Sequence, residues 1–289
     1  MEAYLVHLFI LVCIYFILAA SLQLAMGFGG LLNLGHIAFY GIGAYASALL
    51  TLNLGVSFWV ALPLAGVCAM LGGFLISLPT NKLKGDYLAL ATMGFSFIVY
   101  ALMLNWTELT RGPLGIPGIA RPQFFGISLI DNNAYLIFAL LVAALCWWLI
   151  KRIVESPFGR LLEAIRDDEL AAQILGKRTA RMKTIALGTS AFFAGIAGSM
   201  YAHYINFIDP SSFMLLQIIP VLSIVIIGGL ASLRGTVIAS VILILLPEPL
   251  RFIGFPSSII GPMRQIIYAL FLLLILLYRP KGISGKVQL

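Results

Sequence analysis

Long uninterrupted apolar runs fix what this chain can become. Runs of roughly 17 to 25 residues, the length a helix needs to cross the hydrocarbon of a bilayer, fall at 4–26, 37–53, 57–78, 86–105, 133–150, 184–207, 214–230 and 263–279. A shorter run, 236–247, is expected to cross as well, or to join 214–230 as a broken or re-entrant pair packed inside protein. Protein or a cavity is the setting in which irregular backbone is tolerated at membrane depth. The expected fold is all-α: a polytopic transmembrane bundle of about nine spans, between eight and ten, forming one domain over 1–289. A mean hydropathy of +1.05, with 61% hydrophobic and 10% charged residues, excludes a soluble domain. The N-terminus lacks the basic region and small-residue cleavage site of a signal peptide, so it is read as the first span.

The net charge of +7 does not point to nucleic acid, because the cations lie in short segments between spans, where they orient a membrane protein. Eight Lys/Arg and five Asp/Glu fall between Lys151 and Lys183. Lys82, Lys84, Arg234, Arg279, Lys281 and Lys286 fall on the same side, which is expected to be cytoplasmic. The longest loop on the other face, 106–132, is turn-rich around RGPLGIPGIARP (111–122) and is either a connector or a lid or docking surface outside the membrane. Cys13, Cys68 and Cys146 each lie in an apolar run and are read as small buried hydrophobes.

The glycines of GFGGLLNLGHIAFYGIGAYASALL (27–50) do not form a phosphate loop, since GxxxxGK[ST] is absent from the chain. They serve either close packing or a turn at 27–35 that lines a cavity. GGLLNLGHIA (29–38) and GGLASLRGTVIA (228–239) echo each other faintly, a weak sign of an internal repeat. Small residues at every fourth position, Ala65, Ala69, Gly73 and Ser77, then Ala191, Gly195 and Ser199, predict helices in close contact, within the chain or between subunits. Asp86 is read as capping the helix it opens, and His36 as an interior histidine with its bonds satisfied. Asn33, His36, Tyr40 and Asn105 are candidates to line a solute pathway. No metal site and no catalytic residue is expected, because the titratable groups do not gather at one depth. The scarcity of intramembrane carboxylates argues against an ion-driven secondary carrier, the rival from another class.

The charged segment ESPFGRLLEAIRDDELAAQILG (155–176) reads as two short amphipathic helices. Ser156 and Pro157 start the first, with Leu161, Leu162 and Ile165 on one face. The second begins near Asp167, has Asp168 and Glu169 in its first turn, carries Leu170, Ile174 and Leu175 as its apolar set, and ends by Gly176. Its mixed charge and its breaks suit a protein groove better than lipid headgroups.

LLNLGHIAFYGIGAYASALL (31–50), LKGDYLALATMGF (83–95), RGPLGIPGI (111–119) and this charged segment, in that order, closely resemble the LivM-type permease subunit of bacterial ABC importers for branched-chain amino acids. The resemblance implies that 155–183 is a cytoplasmic coupling loop entering a cleft of the ATPase, with Glu163, Ala164, Arg166, Asp168, Glu169, Ala171, Ala172 and Gly176 as coupling residues. It implies a homologous second permease, two cytoplasmic ATPase subunits that bind the ATP, an external solute-binding protein, and a multi-pass location in the bacterial inner membrane. This chain would then hold no cofactor and catalyse nothing itself. Phe97 and Tyr100 stand where the family pattern often carries an acidic and a basic residue, which leaves the solute open between a branched-chain or other neutral hydrophobic amino acid and urea, short amides or sugars.

Overall fold

The computed structural model describes residues 2–81, 83, 85–124, 127–128, 131–248, 257–279 and 282–285. Lys82, Lys84, Lys281 and Lys286, used above for orientation, lie outside these. The apolar runs are helices throughout: α1 (Glu2–Gln23), α2 (His36–Asn53), α3 (Phe58–Thr80), α4 (Gly85–Asn105), α6 (Asn132–Glu155), α9 (Thr179–Ile205), α10 (Ile218–Gly228), α11 (Leu233–Leu245) and α12 (Ser257–Tyr278). Between them lie the single turn α5 (Thr107–Thr110) and the pair α7 (Pro157–Asp167) and α8 (Glu169–Ile174). Two short ladders also form: β1 (Ile116–Pro117) pairs with β4 (Phe207–Ile208), and β2 (Gln123–Phe124) with β3 (Ile127–Ser128).

The stretch Ala3–Phe28 and helices α3, α4, α6 and α9 are long and apolar enough to cross a membrane. At 1.5 Å per residue, α10 and α11 are only ~16 and ~20 Å long, well short of ~30 Å of hydrocarbon. They pack on each other across the turn 229–232, so the broken pair foreseen for 214–247 is the arrangement found. Ile283 N donates to Ile227 O at 2.8 Å and Ser284 N to Gly228 O at 3.2 Å, which pins the tail residues to that turn.

A helix that is apolar on every side must be buried or face lipid. α1 and α9 are mostly buried in the centre, whereas α3, α4 and α6 turn Leu71, Leu75, Leu78, Leu90, Ile98, Leu102, Ile137, Leu141 and Leu145 outward. Such a continuous apolar perimeter would aggregate in water, and a bilayer solvates it. Lipid tails are as apolar as leucine, so contact between helices rests on close van der Waals packing. The two small-residue ridges meet each other and α2: a Cβ on Gly195 would lie 2.6 Å from Ala69 Cβ and 2.7 Å from Ala65 O, and one on Gly43 would lie 2.3 Å from Gly195 Cα. The ridges therefore build the interior of this chain.

α1 breaks at its end. After Gln23 the backbone widens into a π turn, Leu24–Phe28, and then leaves helical geometry until His36. π turns inside α-helices are frequent at functional sites.

Candidate functional site

The α7–α8 pair caps one end of the bundle. Ser156 is the N-cap of α7 and Pro157 its first residue, where the missing N–H costs nothing. Leu162 and Ile165 point inward, and Leu162 joins a small second core with Ala25, Leu31, Leu88, Ala186 and Leu187. At Asp168 the backbone turns extended, and the carboxylate accepts from Ala171 N at 3.0 Å, which caps α8. Gly176 follows the end of α8 with φ +75, as its sequence position suggested.

Of the coupling residues named above, Ala164, Asp168, Ala171 and Gly176 are exposed, Glu163 is half-buried, and Ala172 is buried. Arg166 and Glu169 turn back toward the bundle. Arg166 Nη1 donates to Gly27 O at 2.8 Å, its stem lies against Gly30, and its Nε and Nη2 hold Asp167 Oδ1. Gly30 has φ +65, and a Cβ there would sit 2.7 Å from Arg166 Cγ, so both conformation and contact require glycine. Glu169 Oε1 meets Lys183 Nζ at 2.6 Å, with the two side chains only 12% and 8% exposed. The junction of α7 and α8, the 29–31 turn and the start of α4 enclose a cleft of about 360 Å³. By contrast, Leu170, Ile174 and Leu175 are 63%, 86% and 77% exposed. Asp86 stands in the exposed first turn of α4 beside this cleft.

The break in α1 thus sits directly behind Arg166. It also touches the α10–α11 turn: Gln23 Nε2 donates to Gly229 O at 2.6 Å, and a Cβ on Gly27 would lie 2.7 Å from Ala231 N. Three of the four pathway candidates lie in the interior beyond this break. Ser21 gives its one proton to Leu18 O, so it accepts from His36 Nε2 at 2.8 Å, and His36 Nδ1 is left as an acceptor 3.4 Å from Asn33 Nδ2. Tyr40 packs on Tyr201 and Phe213 and lines a small cavity of about 70 Å³. Asn105 stands apart from the other three, exposed at the end of α4 with its amide on Ala101 O.

At the opposite end, one α9 length away, the described part of the loop around 111–122 is strapped over the helix ends by the β1–β4 ladder. A polar relay reaches it from the interior: Ser199 donates to Ser47, Ser47 to His203 Nε2, and His203 Nδ1 to Ala120 O. Arg121 bonds Asn132 Oδ1 and Tyr204 O, its guanidinium beside the Tyr135 and Tyr204 rings. Among the described residues no group of three His, Cys, Asp or Glu is placed to hold a metal.

Sequence reasoning missed one pair. Arg264, near the start of the run 263–279, bonds Glu248, just past the end of α11, at 3.0 Å in a cleft of about 270 Å³. The available signal was a single arginine inside an apolar run, and an ionisable residue at such a place warrants a functional reading by default.

Residues 4–278 match the family described as branched-chain amino acid transport system permease component. The chain is 37% identical to the high-affinity branched-chain amino acid transport system permease protein LivM of Escherichia coli, over 94% of this chain and 68% of that one. It is 23% identical to LivH of the same organism, over 95% and 92% of the two chains. It is 25% identical to the guanosine ABC transporter permease NupQ of Bacillus subtilis, over 60% and 59%. No solved structure matches the chain.

Proposed function

The chain belongs to the branched-chain amino acid transport system permease family, and from that premise we propose that it is one permease subunit of an ATP-driven importer for branched-chain or other neutral amino acids. The observation that carries this reading is the α8 face: Leu170, Ile174 and Leu175 project from the bundle while Arg166 and Glu169 anchor the same segment from behind. An exposed apolar helix edge on a rigid mount suits a protein groove, in the helix-in-groove manner. Its occupant would be one of two cytoplasmic ATPase subunits that bind the ATP. A homologous second permease and an external solute-binding protein would complete the assembly, in the bacterial inner membrane. In this arrangement α7 and α8 face the cytoplasm, the 106–132 loop faces outward, and α1–α4, α6 and α9–α12 insert in the bilayer with α10 and α11 as a short pair.

No chemistry is done by this chain. Nucleotide binding closes the ATPases and shifts α7–α8 as a unit. The Arg166–Gly27 bond and the Glu169–Lys183 pair pass that shift to the break in α1 and to the foot of α9. The interior then opens alternately to the two sides, as a rigid-body rearrangement. Similarity to a guanosine permease favours, as a second reading, import of another small neutral solute.

The test is uptake into proteoliposomes that hold the full complex, with ionophores present to collapse every ion gradient. Leucine uptake that needs ATP and ignores the ionophores supports the importer. Uptake that needs the gradient and ignores ATP would sink it.

A further inference from the structure

The cleft around Arg264 and Glu248 is built between α1, the start of α10, the end of α11 and α12, in the half of the bundle away from α7–α8. Glu248 is 8% exposed, and its Oε1 accepts from Arg264 Nη2. Both partners are left half-used: Glu248 Oε2 and Arg264 Nε are buried with no hydrogen-bond partner among the described residues. A pair kept only to hold helices together would have these atoms satisfied, because an unmet charge-bearing atom in a low-dielectric interior costs more than a neutral one. Both residues line the cleft, so a solute that enters it meets a carboxylate and a guanidinium whose bonding capacity is not exhausted.

From this geometry, and resting on the importer reading above, we infer that the cleft is a solute-binding site for the zwitterionic head of an α-amino acid, its carboxylate on Arg264 and its ammonium on Glu248. A zwitterion answers both unmet charges without adding net charge, so the site is neutral empty and neutral full. A sugar or urea offers dipoles only and leaves two full charges poorly met. Leu11, Pro220 and Ile244 form an apolar wall of the same cleft, suited to an aliphatic side chain. The volume falls just below the ~300–1,000 Å³ of sites for drug-sized ligands, which fits one amino acid. Tyr15 and Gln217 also line the smaller cavity beside Tyr40, so the two cavities are neighbours.

The test uses the assembled complex carrying Gln265→Cys, labelled by a small polar maleimide while solute is titrated in. L-leucine should slow labelling at a concentration about tenfold or more below that needed for leucinol, which lacks the carboxylate, or for 4-methylpentanoate, which lacks the ammonium. Tenfold is the effect of losing one charge-assisted hydrogen bond. Arg264→Gln combined with Glu248→Gln keeps side-chain volume, strands no buried charge, and should erase leucine's advantage. Equal protection by all three compounds overturns the inference. So does an absence of protection when the unsubstituted complex imports leucine, an outcome that leaves the importer reading standing. An unsubstituted complex that takes up no leucine with ATP removes that reading and the site with it.

Discussion

At the level of single residues, two kinds of contact decide this structure: backbone against backbone, and charge against charge. Gly43 and Gly195 let α2 and α9 touch where a Cβ would overlap the opposing backbone. Gly43→Ala should therefore destabilise by about 1–3 kcal/mol, the usual range for overpacking. Gly94→Ala, in a helix position with nothing within 4 Å, should be neutral or slightly stabilising. Thermal unfolding in detergent compares the two. The Glu169–Lys183 pair is buried, so Glu169→Gln strands an ammonium and should cost about 3–5 kcal/mol. Adding Lys183→Met should recover most of that loss, and a double variant no more stable than the single would refute the pair's role. Residues of these kinds were unequally legible. The ridges on α3 and α9 were visible because a fourth-residue period survives any folding, but their mutual contact was not, since 122 positions separate Gly73 from Gly195. Arg264 escaped notice because a run of isoleucines and leucines around it outweighs one cation in any averaged hydropathy. Its partner Glu248 sat beyond a different helix.

At the level of elements, the apolar runs translate directly into helices because length and hydrophobicity leave a bilayer segment no other way to satisfy its backbone. What the runs could not show is where a helix deforms. The run 4–26 reads as one span, yet its end widens into a π turn and then a loop, held by Arg166 and Gln23 from distant parts of the chain. The α7–α8 pair was legible through Ser156, Pro157 and Gly176, since caps and breakers act locally, but the break falls later than read: α7 runs to Asp167, and Asp168 caps α8 where the sequence placed it in the first turn. The burial pattern of the pair was not legible: Glu169 looked like an outward charge and instead bonds Lys183. Leu170→Ser with Ile174→Ser and Leu175→Ser should change the stability of this chain by no more than the ~0.5 kcal/mol typical of surface changes, read by thermal unfolding, while co-purification with the ATPase subunits drops steeply. Loss of stability with retained association would mean that the face packs within this chain. Arg166→Ala should have the complementary effect: the complex assembles and hydrolyses ATP, but uptake per ATP falls, because the link to Gly27 is cut.

At the level of the whole molecule, one end carries the exposed apolar edge of α8, the other the β1–β4 ladder, and between them two broken elements meet, the end of α1 and the α10–α11 turn. Contacts run from α7 through Arg166 to Gly27 and on to Ala231, the path along which the proposed coupling movement would pass. If α8 is gripped by a separate nucleotide-driven subunit, a photoreactive amino acid at position 174, in native membranes, should cross-link to a nucleotide-binding subunit, with a yield that changes when ATP is added. Cross-links confined to lipid or to this same chain, unchanged by ATP, would contradict it.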